Sequence, residues 1–104
     1  MPKILIVEDD EQMLQMLTLM VNRTGHESMA ADSGKTALEL VEKETPDLAI
    51  IDVMMPEMNG LEVCQKLRAR PQTVELPILI LTARSQQADR DAAMQAGADD
   101  YLTK

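Results

Sequence analysis

The feature that most constrains this chain is a short apolar run that stops in an acid. Leu48-Ala49-Ile50-Ile51 leads directly into Asp52, and Pro56 and the Asn59-Gly60 pair follow. A run of four to eight apolar residues closed by breakers fits a strand buried on both faces, as in a parallel sheet. Two more runs have the same form. Ile4-Leu5-Ile6-Val7 ends in Glu8, Asp9 and Asp10, and Ile78-Leu79-Ile80-Leu81 ends in Thr82. A weaker run, Glu27-Ser28-Met29-Ala30-Ala31, has small side chains and reads as an edge strand, and Tyr101-Leu102-Thr103 before Lys104 reads as a fifth strand.

Helical periodicity fills the gaps between the runs. Met13, Leu14, Leu17, Met20 and Val21 recur at helical spacing, with Asp10 placed as N-cap and Gly25 as a stop. Ser33 is placed to cap a helix carrying Ala37, Leu38 and Val41. Leu61, Cys64 and Leu67 mark a third helix closed by Arg68, Arg70 and Pro71. Ser85 is placed to cap a fourth through Ala88, Ala92, Ala93 and Ala96, with Gly97 at its end. Strands alternating with helices predict right-handed parallel βαβ units, an α/β doubly wound fold in one domain over residues 1–104.

Composition narrows the function classes. A net charge of -8 disfavours nucleic acid and anionic membranes as direct partners. No apolar run approaches the roughly 20 residues of a membrane span, and the first residues do not read as a signal peptide. The one cysteine, Cys64, cannot form an internal disulfide, which suits a cytoplasmic location. His26 and the methionines other than Met54 read as structural.

In a parallel sheet all carboxyl ends of strands share one edge, where open α/β sheets bind ligands. That edge would gather Glu8, Asp9, Asp52, Thr82 and Lys104. Adjacent carboxylates repel unless a cation intervenes. Mg²⁺ takes one or two carboxylates and keeps several waters, and it would neutralise an incoming phosphoryl group. Thr82 could donate a hydrogen bond and Lys104 an ionic contact to phosphoryl oxygens. Phosphoryl transfer needs mainly positioning and charge stabilisation, so Asp52 is the expected nucleophile. The bland alternatives are an acid that merely ends a strand and an acidic turn that merely caps a helix. The capping reading is kept for Asp10 and Glu11.

In these residues the chain resembles the receiver domain of two-component response regulators. The resemblance rests on Glu8-Asp9, Asp52, Pro56, Gly60, Thr82-Ala83, Tyr101 and Lys104, in that order and spacing, and covers residues 3–104. It implies a flavodoxin-like five-stranded sheet of order 2-1-3-4-5 flanked by helices. It implies Mg²⁺ (or Mn²⁺) on Asp9, Asp52 and the Met54 backbone carbonyl, with Glu8 acting through water. Phosphoryl contacts would come from Thr82, Lys104 and the backbone of Met54 and Ala83. Thr82 would move toward the phosphoryl group as Tyr101 turns inward, and Met54 and Arg84 would border the site. The donor would be the phosphohistidine of a sensor histidine kinase or phosphotransfer protein. Four helices are present where the family has a fifth after the lysine. The expectation is therefore a C-terminally incomplete domain with an apolar sheet face left open, which a partner chain, a dimer or a domain exchange could cover.

Two other functions fit part of the pattern. A phosphohydrolase with an aspartyl-phosphate intermediate would carry an acid two residues after the nucleophile, where this chain has Met54. An interaction module indifferent to phosphate would not need the acidic pair, Thr82 and Lys104.

Overall fold

The three apolar runs become the three central strands of one sheet. In the computed structural model, which describes residues 2–53, 55, 57–82 and 87–103, these are β1 (Lys3–Val7), β3 (Leu48–Asp52) and β4 (Ile78–Thr82). β2 (Glu27–Ala31) and β5 (Asp100–Thr103) take the edges, giving the order β2-β1-β3-β4-β5 with every neighbouring pair parallel. The expected 2-1-3-4-5 topology and the edge position of β2 are both found. Inner strands must bury both faces, hence their nearly unbroken Ile, Leu and Val content.

Four helices connect the strands among the described residues: α1 (Glu11–Arg23), α2 (Gly34–Lys43), α3 (Gly60–Arg68) and α4 (Gln87–Gln95). Three carry side-chain caps. Asp10 accepts the Gln12 N–H at 3.1 Å, Ser33 accepts the Thr36 N–H at 3.2 Å, and Asn59 accepts the Glu62 N–H at 3.0 Å. A cap of this kind satisfies one of the amide donors a helix start leaves over, and is worth about 1 kcal/mol. Asp10 and Ser33 are the caps expected from the sequence. Asn59 reads there only as a breaker, and Ser85 lies outside the described residues.

The helices divide the core in two. α2, α3 and α4 cover one face, where Leu5, Val7, Ala37, Val41, Ala49, Ile51, Val63, Cys64, Leu67, Ile78, Ile80, Ala93 and Tyr101 pack together. Burying a Val, Leu or Ile side chain contributes roughly 1.5–3 kcal/mol, so this cluster is the main source of stability. Burial also pushes the Cys64 thiol up, which keeps it an inert core group. On the other face α1 covers Ile4 and Ile6 with Val21, while Leu14, Leu17, Leu48 and Ile50 are only partly buried. Met20 is 57% exposed and Leu102, opposite in pleat to Tyr101, is 50% exposed.

At the amino ends of β4 and β5, one side chain ties four segments together. Arg68, the last residue of α3, donates from Nε to the Gly97 carbonyl at 2.9 Å. Its Nη1 reaches the Thr73 and Leu76 carbonyls at 3.2 and 2.5 Å, and its Nη2 pairs with Asp99 at 2.8 Å. Asp99 also accepts the Ile78 N–H at 2.8 Å. Gly97 has φ +107, and a Cβ there would stand 2.7 Å from Arg68 Cγ, so a side chain is excluded twice over. Only a planar guanidinium fork can serve donors in so many directions. Arg68→Lys is expected to cost about 1–3 kcal/mol, because carbonyls and a carboxylate lose charge-assisted partners. A lower urea midpoint with an unchanged denaturant slope would show this, and an unchanged midpoint would contradict it.

Candidate phosphoryl-acceptor and metal site

Strand register brings the acids together. Val7 pairs with Ile51, so Glu8 emerges beside Asp52 at the carboxyl edge of the sheet. Asp52 pairs with Leu81, and the next residue, Thr82, pairs with Thr103. The Glu8 N–H still donates to the Ala31 carbonyl at 3.0 Å, which prolongs the sheet by one residue. The Glu8 carboxylate then turns back to accept the Asp10 N–H at 3.3 Å. Thus the acidic turn has two parts: Asp10 caps α1, while Glu8 and Asp9 face the sheet edge.

Carboxylate oxygens of Glu8, Asp9 and Asp52 all lie within 4.8 Å of one another. Glu8 and Asp52 are buried, at 1% and 4% exposure, and Asp9 is exposed. Two like charges at this separation repel by roughly 3–4 kcal/mol at an effective dielectric of about 20. Exposed acidic clusters are ordinary, but two buried carboxylates with a third at the rim are not. The donor set suits a hard divalent cation: oxygen ligands only, anionic, and open to water on the Asp9 side.

The loop after Asp52 is fixed by close packing. Met55 and Gly60 N–H groups both donate to the Val53 carbonyl, at 3.0 and 3.1 Å. A Cβ on Gly60 would meet the Asp52 carbonyl oxygen at 2.1 Å, its carbon at 2.8 Å and Ile51 Cγ2 at 2.9 Å. α3 therefore starts directly against the backbone of the acid, and no side chain fits between. Glu57, in the same loop, is the one described non-glycine residue with positive φ, at 65°. Such a backbone costs about 1 kcal/mol or more in a residue with a Cβ, and here it adjoins the site.

Thr82 is fully buried at the end of β4 and Tyr101 is 2% exposed in β5. Tyr101 pairs with Ile80, so its side chain shares a face with Thr82 one pleat further along. The ring is already inward. Met54, Pro56, Ala83, Arg84 and Lys104 lie outside the described residues. His26 sits at the far end of the sheet with Nδ1 2.7 Å from Thr24 Oγ1, away from the acids.

Three features escaped the sequence reading. The contact of Gly60 with Asp52 is signalled only by a glycine at the start of a helix, which by itself reads as a breaker. The Arg68 clamp has no local signal. The Arg90 guanidinium lies 5.2 Å from the Tyr101 ring centroid, and only the position of Arg90 three residues before buried Ala93 hints at it.

The profile of the response regulator receiver domain matches residues 4–104. The chain belongs to the response regulator receiver family. This receiver is 42% identical over 102 residues to the alkaline phosphatase synthesis transcriptional regulatory protein PhoP of Bacillus subtilis, covering 98% of the chain and 42% of that protein. It is 41% identical over 104 residues to the transcriptional regulatory protein AfsQ1 of Streptomyces coelicolor, covering 100% and 45%. The receiver thus spans less than half the length of these relatives. Among solved structures, the chemotaxis protein CheY4 of Vibrio cholerae superposes with a TM-score of 0.97 at 33% identity, covering 100% of the receiver and 87% of that chain. Receivers of two-component response regulators are signalling switches. The acidic cluster lies where the receiver fold gathers its strand ends. No helix among the described residues is long and apolar enough to cross a membrane.

Gly60→Ala is expected to destabilise this receiver by about 1–3 kcal/mol through overpacking against the Asp52 carbonyl. It should also shift the amide resonances of residues 52 and 53 more than those of β2. Parent-like stability and unshifted resonances would contradict the contact.

Proposed function

We propose that this receiver accepts a phosphoryl group on Asp52 from the phosphohistidine of a sensor histidine kinase or phosphotransfer protein, and so switches its partner-binding state. The observation that carries the reading is the convergence of buried Glu8, buried Asp52 and exposed Asp9 within 4.8 Å at the carboxyl edge of the sheet. An Asp52 Oδ attacks phosphorus as the P–N bond to the donor imidazole breaks, and the imidazole leaves after taking a proton. The acid is held for this by β3 on one side and by the start of α3 on the other. The Thr82 hydroxyl donates to a phosphoryl oxygen, the Met54 and Ala83 backbone amides contact it, and the Lys104 ammonium offsets its charge. Asp9, Asp52 and the Met54 carbonyl would hold Mg²⁺ (or Mn²⁺), with Glu8 acting through water. A cation there would neutralise both the clustered acids and the phosphoryl oxygens.

The domain assists its own phosphorylation and dephosphorylation and is not a conventional turnover enzyme. Met54 stands where a phosphohydrolase of the aspartyl-phosphate type would need a second acid, which argues against turnover of external esters. The acidic balance, net -8, fits a cytoplasmic domain whose partners are proteins and not nucleic acid or membrane.

With Mg²⁺ and acetyl phosphate, the intact mass should rise by one phosphoryl group. Asp52→Asn should abolish the gain, whereas a gain that persists in that variant would overturn the assignment of the acceptor. Asp9→Asn removes an anionic ligand and should weaken Mg²⁺ binding about tenfold or more in a calorimetric titration. A parent-like dissociation constant would remove Asp9 from the ligand set.

A further inference from the structure

β2 ends the sheet, and its outer side carries no further strand among the described residues. The Glu27 N–H donates inward to the Pro2 carbonyl, and the Ala31 carbonyl accepts inward from the Glu8 N–H. In a parallel ladder, alternate residues of a strand turn their N–H and C=O to the same neighbour. Ser28 and Ala30 therefore present theirs outward. Edges of this kind are ordinarily blunted by lysine, proline or a bulge. β2 has none of these. Ser28-Met29-Ala30-Ala31 carries no charge and no proline, and the register with β1 runs unbroken from Lys3↔Glu27 to Val7↔Ala31. Beside this edge the α1 face is hollow. Ser28 and Ala30 pair with Ile4 and Ile6, whose side chains pack with Val21 of α1, so their own small side chains share that face. A groove of about 780 Å³ lies there between α1 and β2. Leu14, Leu19 and Ala30 supply its apolar lining, with Leu19 51% exposed. The charged groups among its described lining residues are Asp9, Glu11 and Asp32, all of them acidic and exposed.

We propose that this edge is a docking surface for an extended segment of a basic partner protein, which adds to β2 as a sixth strand. Main-chain hydrogen bonds to Ser28 and Ala30 hold the segment. An aliphatic side chain on its α1 face enters the groove, and flanking lysine or arginine side chains meet Asp9, Glu11 and Asp32. A second copy of this chain is the wrong occupant. It would bring a further net charge of -8. Antiparallel pairing of β2 with itself would also set Glu27 against the end that leads into Asp32, acid against acid. The docking does not rest on the proposed role of Asp52.

The test is an NMR titration of the unphosphorylated protein with a capped hexapeptide in which arginine, leucine and arginine alternate with threonine. On the added strand the leucine then falls on the groove face between two cations. The Ser28 and Ala30 amides should shift, and slow in hydrogen exchange, more than those of Met29 and Ala31, which already face β1. The same peptide with glutamate in place of arginine should bind about tenfold more weakly or worse, and high salt should narrow the difference. Ala30→Lys puts a long cationic side chain into the groove and should abolish the shifts. Ala30 is exposed, so the urea midpoint should stay at the parent value. Glu11→Gln should weaken the arginine peptide without weakening the glutamate peptide. No shifts at millimolar peptide, equal binding of the two peptides, or unmoved Ser28 and Ala30 amides would overturn the proposal. So would parent-like binding by Ala30→Lys, or self-association that protects the same amides without peptide.

Discussion

Convergence of three carboxylates on one sheet edge is the constraint around which this receiver is arranged. A parallel sheet delivers every strand's carboxyl end to one edge, and here β1 and β3 deliver Glu8, Asp9 and Asp52 within 4.8 Å. The aliphatic core beneath fixes the strands that carry these acids. It does so with inner strands of Ile, Leu and Val whose Leu5, Val7, Ile51, Ile78 and Ile80 are buried, and with an α3 start pressed onto the Asp52 carbonyl. Carboxylates gathered in this way attract positive charge. That is the property a cation-assisted phosphoryl acceptor needs.

The two ends of the sheet divide the work. At the amino ends of β4 and β5, Arg68 satisfies carbonyls from the 73–76 turn and from Gly97 and pairs with Asp99, locking α3 to the α4–β5 connection. The carboxyl end carries the clustered acids, a positive-φ glutamate and a buried threonine. Hydrogen-bonded closure is concentrated at one end and clustered carboxylates at the other.

Much of this was legible in the sequence, for physical reasons that differ by element. β1, β3 and β4 announce themselves because a strand buried on both faces has no freedom to be polar. The Asp10 and Ser33 caps are readable because a short oxygen side chain before a periodic run has one common use. The acids are readable because each ends an apolar run, and topology then brings them together. What stayed hidden depends on contacts across long sequence separations. Gly60 against Asp52 looks like any breaker until α3 is docked. Arg68 looks like a helix-ending cation until its carbonyl partners, up to Gly97, are in place. The positive φ of Glu57 has no sequence mark at all, since nothing in a Glu predicts the left-handed region.

The central claim is that, among three crowded acids, Asp52 is the one that bonds to phosphorus. Borohydride reduces an acyl phosphate to the corresponding alcohol, which marks the acceptor irreversibly. Protein phosphorylated by a small phosphodonor with Mg²⁺, reduced, digested and sequenced by mass spectrometry should carry the reduced side chain at residue 52, with residues 8 and 9 intact. Reduction at Asp9 or Glu8, with Asp52 untouched, would contradict the account.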